Sequence, residues 1–229
     1  TAMPTAMPPQ GTPRVTLTSP PTAVHEAWRV TLHGMGPAAV AERRAGGFVA
    51  ALTFAYSVDV AGQTFQSRGD DDVLLVFLSS EGAIERIVQL GGEGDDGVAA
   101  LAQLDGGVAV VITSDGPVAF GGTRLVPKPP TDDAPFPAVA ALVRVADDGA
   151  VRTAHPLEPT PFTVAMVAAD DGDVVLGSSF IGKDSLIGRA EVVRTKADGS
   201  LRWRVALDDV HVGSLRLSGE HVVVSVRAN

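Results

Sequence analysis

Three stretches of this chain follow one plan, and that internal repetition restricts the fold more than any other feature. The first, "GGFVAALTFAYSVDVAG", continues to "DDDVLLVFLSSEGAIERIVQL". The second, "GGVAVVITSDGPVAFGG", continues to "AVAALVRVADDGAVRTAHPL". The third, "DGDVVLGSSF", continues to "AEVVRTKADGSLRWRVAL". Anchor glycines Gly47, Gly107 and Gly172 are 60 and 65 residues apart, and hairpin glycines Gly82, Gly149 and Gly199 follow at 67 and 50. Each unit runs apolar strand, tight turn, strand, variable connection, strand, E-G or D-G turn, strand. Asp-Gly between apolar runs is a strong hairpin signal, because glycine takes positive φ at no steric cost.

Four antiparallel strands recurring at this period predict an all-β chain, a β-propeller of four-stranded blades bounded near residues 35, 95 and 160. With 25 Gly and 16 Pro in 229 residues, long helices are not expected. The Ala-rich pieces "AAVAERRAGG" and "GVAALAQLDGG" carry helical propensity. They are too short for ordinary helices and occupy the first-strand slot of their units, so they are expected to be inner strands.

The elements at Val58–Gly62 and Val118–Gly122, the apolar third strands and the turns ending at Gly82, Gly149 and Gly199 resemble bacterial β-propeller repeat proteins of the SBBP type. The resemblance spans roughly residues 24–229 and is one of layout more than of sequence. It departs at the fourth-strand tryptophan, present at Trp203 and Trp28 but replaced by Ile87 and Ala154, and in a third unit without a clear G-G element. It implies an extracellular or cell-envelope protein after removal of a signal, and assigns no reaction.

Residues 1–12, "TAMPTAMPPQGT", read as a Pro-rich extended arm suited to assembly with another chain, leaving 13–229 for the propeller. No signal peptide is seen, and a start at Thr1 without a Met fits a processed chain. The last segment supplies two strands of a fourth unit, while "PRVTLTS" and "HEAWRVTL" near the start supply a third and a fourth. Joining them would close about four blades and leave no open edge; the other reading is a piece of a longer propeller.

The stretch "GGEGDDGVAAL" puts Gly92, Gly94 and Gly97 in G-x-G-x-x-G spacing. A dinucleotide site needs a helix after the third glycine, with its N-terminus facing the pyrophosphate. Here a strand-like segment follows, and Glu93, Asp95 and Asp96 would repel that anion. The stretch therefore reads as the passage between blades one and two.

A formal charge of −9 with 18 scattered basic residues excludes a nucleic-acid surface, and no apolar run reaches membrane-spanning length. Zero Cys excludes thiolate chemistry. The five histidines show no metal spacing and read as surface residues. Paired acids beside glycine are turn chemistry first; no cofactor is expected, calcium being the one ion such acids would take.

Function is expected where the long connections Val58–Arg68 and Asp115–Pro137 and the blade links share one face, opposite the tight turns. Its candidate binding residues are Arg68, Asp70, Asp71, Asp72, Glu93, Asp95, Asp96, Asp115, Asp132 and Asp133. Their charge favours a basic partner, protein or glycan, on a non-catalytic binding or structural module. The alternative is a carbohydrate-active enzyme using paired Asp or Glu.

Overall fold

The computed structural model describes residues 39–129, 138–158, 160, 161, 163–180 and 189–228. The arm, the two N-terminal strand candidates, Trp28, His25, His33, Asp132 and Asp133 lie outside the described residues. Everything described is strand, turn or loop, with no helix.

Each of the three aligned stretches folds as one four-stranded antiparallel sheet. Sheet 1 holds β1 (Ala39–Glu42), β2 (Phe48–Val60), β3 (Gln63–Leu78) and β4 (Ile84–Leu90) in chain order. Sheet 2 is β5 (Asp96–Leu104), β6 (Gly107–Ser114), β9 (Val139–Ala146) and β10 (Val151–Leu157). Between β6 and β9 the chain makes a small separate hairpin, β7 (Val118–Phe120) and β8 (Thr123–Leu125). Sheet 3 is β11 (Thr163–Ala168), β12 (Val174–Phe180), β13 (Arg189–Thr195) and β14 (Leu201–Asp208), followed by the two-stranded pair β15 (Val210–Ser218) and β16 (His221–Ala228).

The Ala-rich pieces are β1 and β5, as expected of first strands. Packing overrides their helical propensity: small side chains let first strands approach, and β1 packs on β5, β5 on β11 and β11 on β15. The core lies between sheets. Val49, Val73, Leu75 and Phe77 of sheet 1 meet Val108, Val110, Val143 and Val145 of sheet 2. Ala109, Val111 and Leu142 on the other face of sheet 2 meet Val174 and Leu176 of sheet 3. Sheet 1 is also buried on its second face, at Leu52, Phe54, Leu74, Val76 and Leu78. Strand alternation places residues i and i+1 on opposite faces, so the middle strands of these sheets, buried on both faces, read as unbroken apolar runs.

Two corrections concern the connections. The expected long loop Val58–Arg68 is instead an extension of the β2–β3 hairpin, turning at Ala61 (φ 51°) and Gly62 (φ 76°). The β7–β8 turn at Gly121 and Gly122 repeats that geometry, positive φ at both central residues, which matches strand twist. The anchor alignment also shifts by one in the third unit. Pairing of Phe48 with Leu78, Val108 with Val145 and Val174 with Thr195 puts Asp173, not Gly172, in the place of Gly47 and Gly107. A Cβ at Gly47 would sit 2.0 Å from the Leu78 carbonyl oxygen, and one at Gly107 2.2 Å from that of Val145. At Asp173 the chain spends the position on a buried carboxylate instead.

Candidate functional site

In a four-strand meander, the first and third turns emerge at one end and the second turn and sheet-to-sheet link at the other. The acids at the two ends are treated in opposite ways.

At the tight-turn end six of them, Glu85, Asp147, Asp148, Asp170, Asp171 and Asp173, are paired with arginine, while Glu81, Asp105 and Asp198 are not, among the described residues. Arg43 binds Glu85 (2.6 Å) and Asp147 (3.0 Å), tying sheet 1 to sheet 2, and Arg44 binds Asp170 (2.5 Å), tying sheet 1 to sheet 3. Arg194 holds Asp171 (2.8 Å) and Asp173 (2.7 Å), and Arg202 also reaches Asp173 at 2.7 Å. Arg144, buried, donates to the carbonyls of Gly172 (2.8 Å) and Lys196 (3.1 Å) across sheets 2 and 3. The Ala150 N–H and Arg152 together hold the Asp148 carboxyl below its ordinary range.

At the link end, three backbone segments converge between sheets 1 and 2. The Asp70 N–H donates to the Gly94 carbonyl (3.2 Å), and the Glu93 N–H to that of Pro117 (3.0 Å). Asp71 bridges to Asp95 in parallel fashion, and Gly92 to Val118 in antiparallel fashion. The Asp95 N–H donates to Asp115 Oδ1 at 2.7 Å. A Cβ at Gly92 would lie 2.2 Å from the Pro117 carbonyl oxygen, and one at Gly94 2.3 Å from the Gly116 nitrogen. Gly92 and Gly94 thus serve close approach of backbones. Gly97, the last glycine of the spacing, lies inside strand β5, which opens at Asp96, so no helix terminus exists there to take a pyrophosphate.

This convergence brings together the eight described members of the predicted site, and separates them into two groups. Asp70, Glu93, Asp95 and Asp115 are exposed and Asp71 half-exposed. Among the described residues no cation forms an ion pair with any of the five. Partial burial pushes the Asp95 carboxyl up, and repulsion from Asp71, Asp115 and Asp70 adds to it.

Asp72 and Asp96 are different. Both have no exposed surface, so neither can be a contact residue. Asp72 accepts from the Arg68 N–H (3.2 Å) and from Gln89 Nε2 (2.6 Å). Asp96 Oδ2 accepts from the Gly92 N–H (2.6 Å), while its Oδ1 has no partner. The two carboxylates flank Gly91, whose Cβ would meet Asp72 at 2.6 Å and Asp96 at 2.9 Å. Burial, less what hydrogen bonds from Ser114 and Gly92 recover, raises Asp96 to about 6, with Asp72 and Asp115 repelling its charge. Arg68 is exposed, and its Nη1 donates to the Gly91 carbonyl at 2.9 Å, holding the link.

Two clefts lie elsewhere. One, about 410 Å³, opens among the first strands near the tight turns, beside Glu42, Arg44, Gln103, Asp105 and Asp170. The other, about 330 Å³, lies between sheets 2 and 3 around Glu191. Neither is lined by Asp72 or Asp96, and among the described residues no three His, Asp or Glu side chains are grouped to hold a metal. Nor are all histidines simple surface residues. His155 Nε2 and His211 Nδ1 are buried without a partner, while His221 is exposed.

Sequence reasoning missed the arginine clamps, although "AERRAGG" offers two arginines at a first turn. It also missed Glu191, whose signal is visible. Counting eight residues back from Gly82, Gly149 and Gly199 gives Leu74, Ala141 and Glu191, one acid in a place otherwise apolar.

No protein-family model matches the chain, and no curated protein matches it. No described helix is long and apolar enough to cross a membrane.

Proposed function

We propose that the chain is a non-catalytic binding module, a β-propeller whose link face presents an unneutralised acidic patch to a cationic partner. The observation that carries this reading is the contrast between the two ends. Arginine answers six of the tight-turn acids, whereas Asp70, Asp71, Glu93, Asp95 and Asp115 crowd together with no ion pair among the described residues, the one described arginine of the junction, Arg68, being engaged with the Gly91 carbonyl. Clustered like charge costs stability, and a basic partner arriving there relieves it while gaining steered association. The SBBP-type resemblance supports an envelope or secreted setting for such a module.

Closure of the propeller is part of the proposal. Sheet 1 buries an apolar second face against no described sheet, and β15–β16 forms a two-stranded sheet with no further described strand on its β16 edge. Strands from "PRVTLTS" and "HEAWRVTL" added to β16 would complete a fourth blade against that face. Deleting residues 1–32 then exposes edges and causes aggregation or a large loss of stability; an equally stable, monomeric truncation refutes closure.

The binding experiment compares two variants of the full chain against an immobilised lysine-rich peptide at ~50 mM and ~150 mM salt. Asp70, Asp71, Glu93, Asp95 and Asp115 are changed together to Asn or Gln in one, and Asp147, Asp148, Asp170 and Asp171 to Asn in the other. Loss with the first set and retention with the second is expected. The reverse places function on the turn face. The carbohydrate-active reading needs a carboxylate pair lining a cleft. Glu158 and Glu191 line the cleft between sheets 2 and 3, and Glu42, Asp105 and Asp170 the first-strand cleft. Glu158, Glu191 and Asp170 are ion-paired with Lys128, Arg204 and Arg44, which leaves Glu42 and Asp105 as the pair that reading would have to use.

A further inference from the structure

Glu191 stands in the third strand of sheet 3 where sheets 1 and 2 carry Leu74 and Ala141, both buried in hydrophobic clusters. It is 6% exposed and faces the cleft between sheets 2 and 3. Its register partner Ser178, equally buried, lines the same cleft. Around them the walls are mostly apolar, Leu142 and Leu157 from sheet 2 and Leu176 and Phe180 from sheet 3; the other lining carboxylate, Glu158, is exposed and paired with Lys128. A carboxylate taken out of water into such walls costs several kcal/mol unless it is paired and hydrogen-bonded. The pairing present is thin. Arg204 Nε stands 3.4 Å from Glu191 Oε2, on a side chain that is 48% exposed.

The volume suits a small ligand, at the lower end of the range such sites occupy. His155 also lines the cleft, its ring packed where Gly199 has no side chain, and its buried Nε2 has no partner. With its proton on Nδ1 that nitrogen is an acceptor. Carboxylate, hydroxyl and imidazole together offer mainly acceptors, within hydrocarbon walls. We infer that this cleft binds a compact apolar molecule carrying one primary ammonium group, the ammonium donating to Glu191 and the hydrocarbon filling the space between the sheets. The site is independent of the acidic link face, which lies between sheets 1 and 2.

The test is calorimetric titration of the full chain with 2-phenylethylammonium, set beside 2-phenylethanol and 3-phenylpropionate, the same hydrocarbon with a neutral and an anionic head. The ammonium is expected to bind saturably, the alcohol about tenfold or more weakly and the carboxylate not at all. Glu191→Gln should reduce the ammonium to the affinity of the alcohol. Leu157→Trp, which fills the cleft and leaves every carboxylate in place, should abolish binding, with circular dichroism confirming the β fold of each variant. The link-face variant should bind the ammonium as the parent does, which separates this site from the acidic patch. Equal affinity for the three compounds overturns the inference. So does absence of saturable ammonium binding up to ~10 mM, or binding unchanged in Leu157→Trp; if Glu191→Gln does not fold, Leu157→Trp decides alone.

Discussion

Replacing Asp96 by Asn should make the protein more stable at neutral pH and leave it nearly unchanged in mild acid. Asp96 has no exposed surface, one carboxylate oxygen without a partner, and Asp72 and Asp115 as charged neighbours. Its carboxyl moves from 3.8 to about 6 on folding. A carboxyl raised in this way binds its proton more tightly folded than unfolded. The stability it contributes is full below the unfolded value and is lost as pH climbs from about 4 through 6. Two pH units correspond to ~3 kcal/mol at most; screening by water at a junction rimmed with solvated acids reduces this to ~1–2 kcal/mol. Asn can keep the Gly92 hydrogen bond through its oxygen and cannot ionise. The assay is urea denaturation of parent and variant at steps from pH 4 to pH 8, read as the difference between them, since the other acids titrate in both. The difference should grow from near zero at about pH 4 to ~1–2 kcal/mol in favour of the Asp96→Asn variant at about pH 7.5. A constant difference across the range, or an advantage for the aspartate at neutral pH, would refute the reasoning.

Three further outcomes follow from the same contacts. Arg144→Met removes two charge-assisted bonds between sheets 2 and 3 and should cost ~2–4 kcal/mol in urea melts, with Arg144→Lys failing to restore both. Asp173→Ala strands Arg194 and Arg202 beside a buried position and should cost ~3 kcal/mol, whereas Asp171→Ala, on an exposed partner of the same arginines, should cost under ~1 kcal/mol. Gly92→Ala forces backbone segments apart at the link and should lower the melting temperature more than Gly62→Ala, whose Cβ meets nothing within 4 Å although its φ of 76° remains unfavourable.

The sheets were legible because their signals are local. Turn glycines, Asp-Gly pairs and apolar runs of strand length sit next to one another in the chain, and the three equivalent turns close with the same bonds, Gly82 N–H to Ser79, Gly149 N–H to Ala146 and Gly199 N–H to Lys196. The candidate site was legible only in part. Its residues are neighbours because of the link, which the order of strands predicts. Which of them face water is set by the pleat: Asp71 and Asp72 are adjacent on β3, and alternation sends one to the surface and the other inside. Nothing in "DDD" says which. The pairing of Arg43 with Asp147, more than a hundred residues away, and the buried imidazole against Gly199 depend on how sheets stack, which composition and spacing do not encode.

On the binding-module reading, the acids of the link face await a basic partner. This is tested most directly by mapping a lysine-rich peptide onto the full chain by backbone amide NMR. Saturable shifts are expected at Gly69–Asp71, Glu93–Asp95, Asp115 and Gly116, weakening steeply with salt. Shifts centred on the turns at Asp147 and Asp170, or none that saturate, would contradict it.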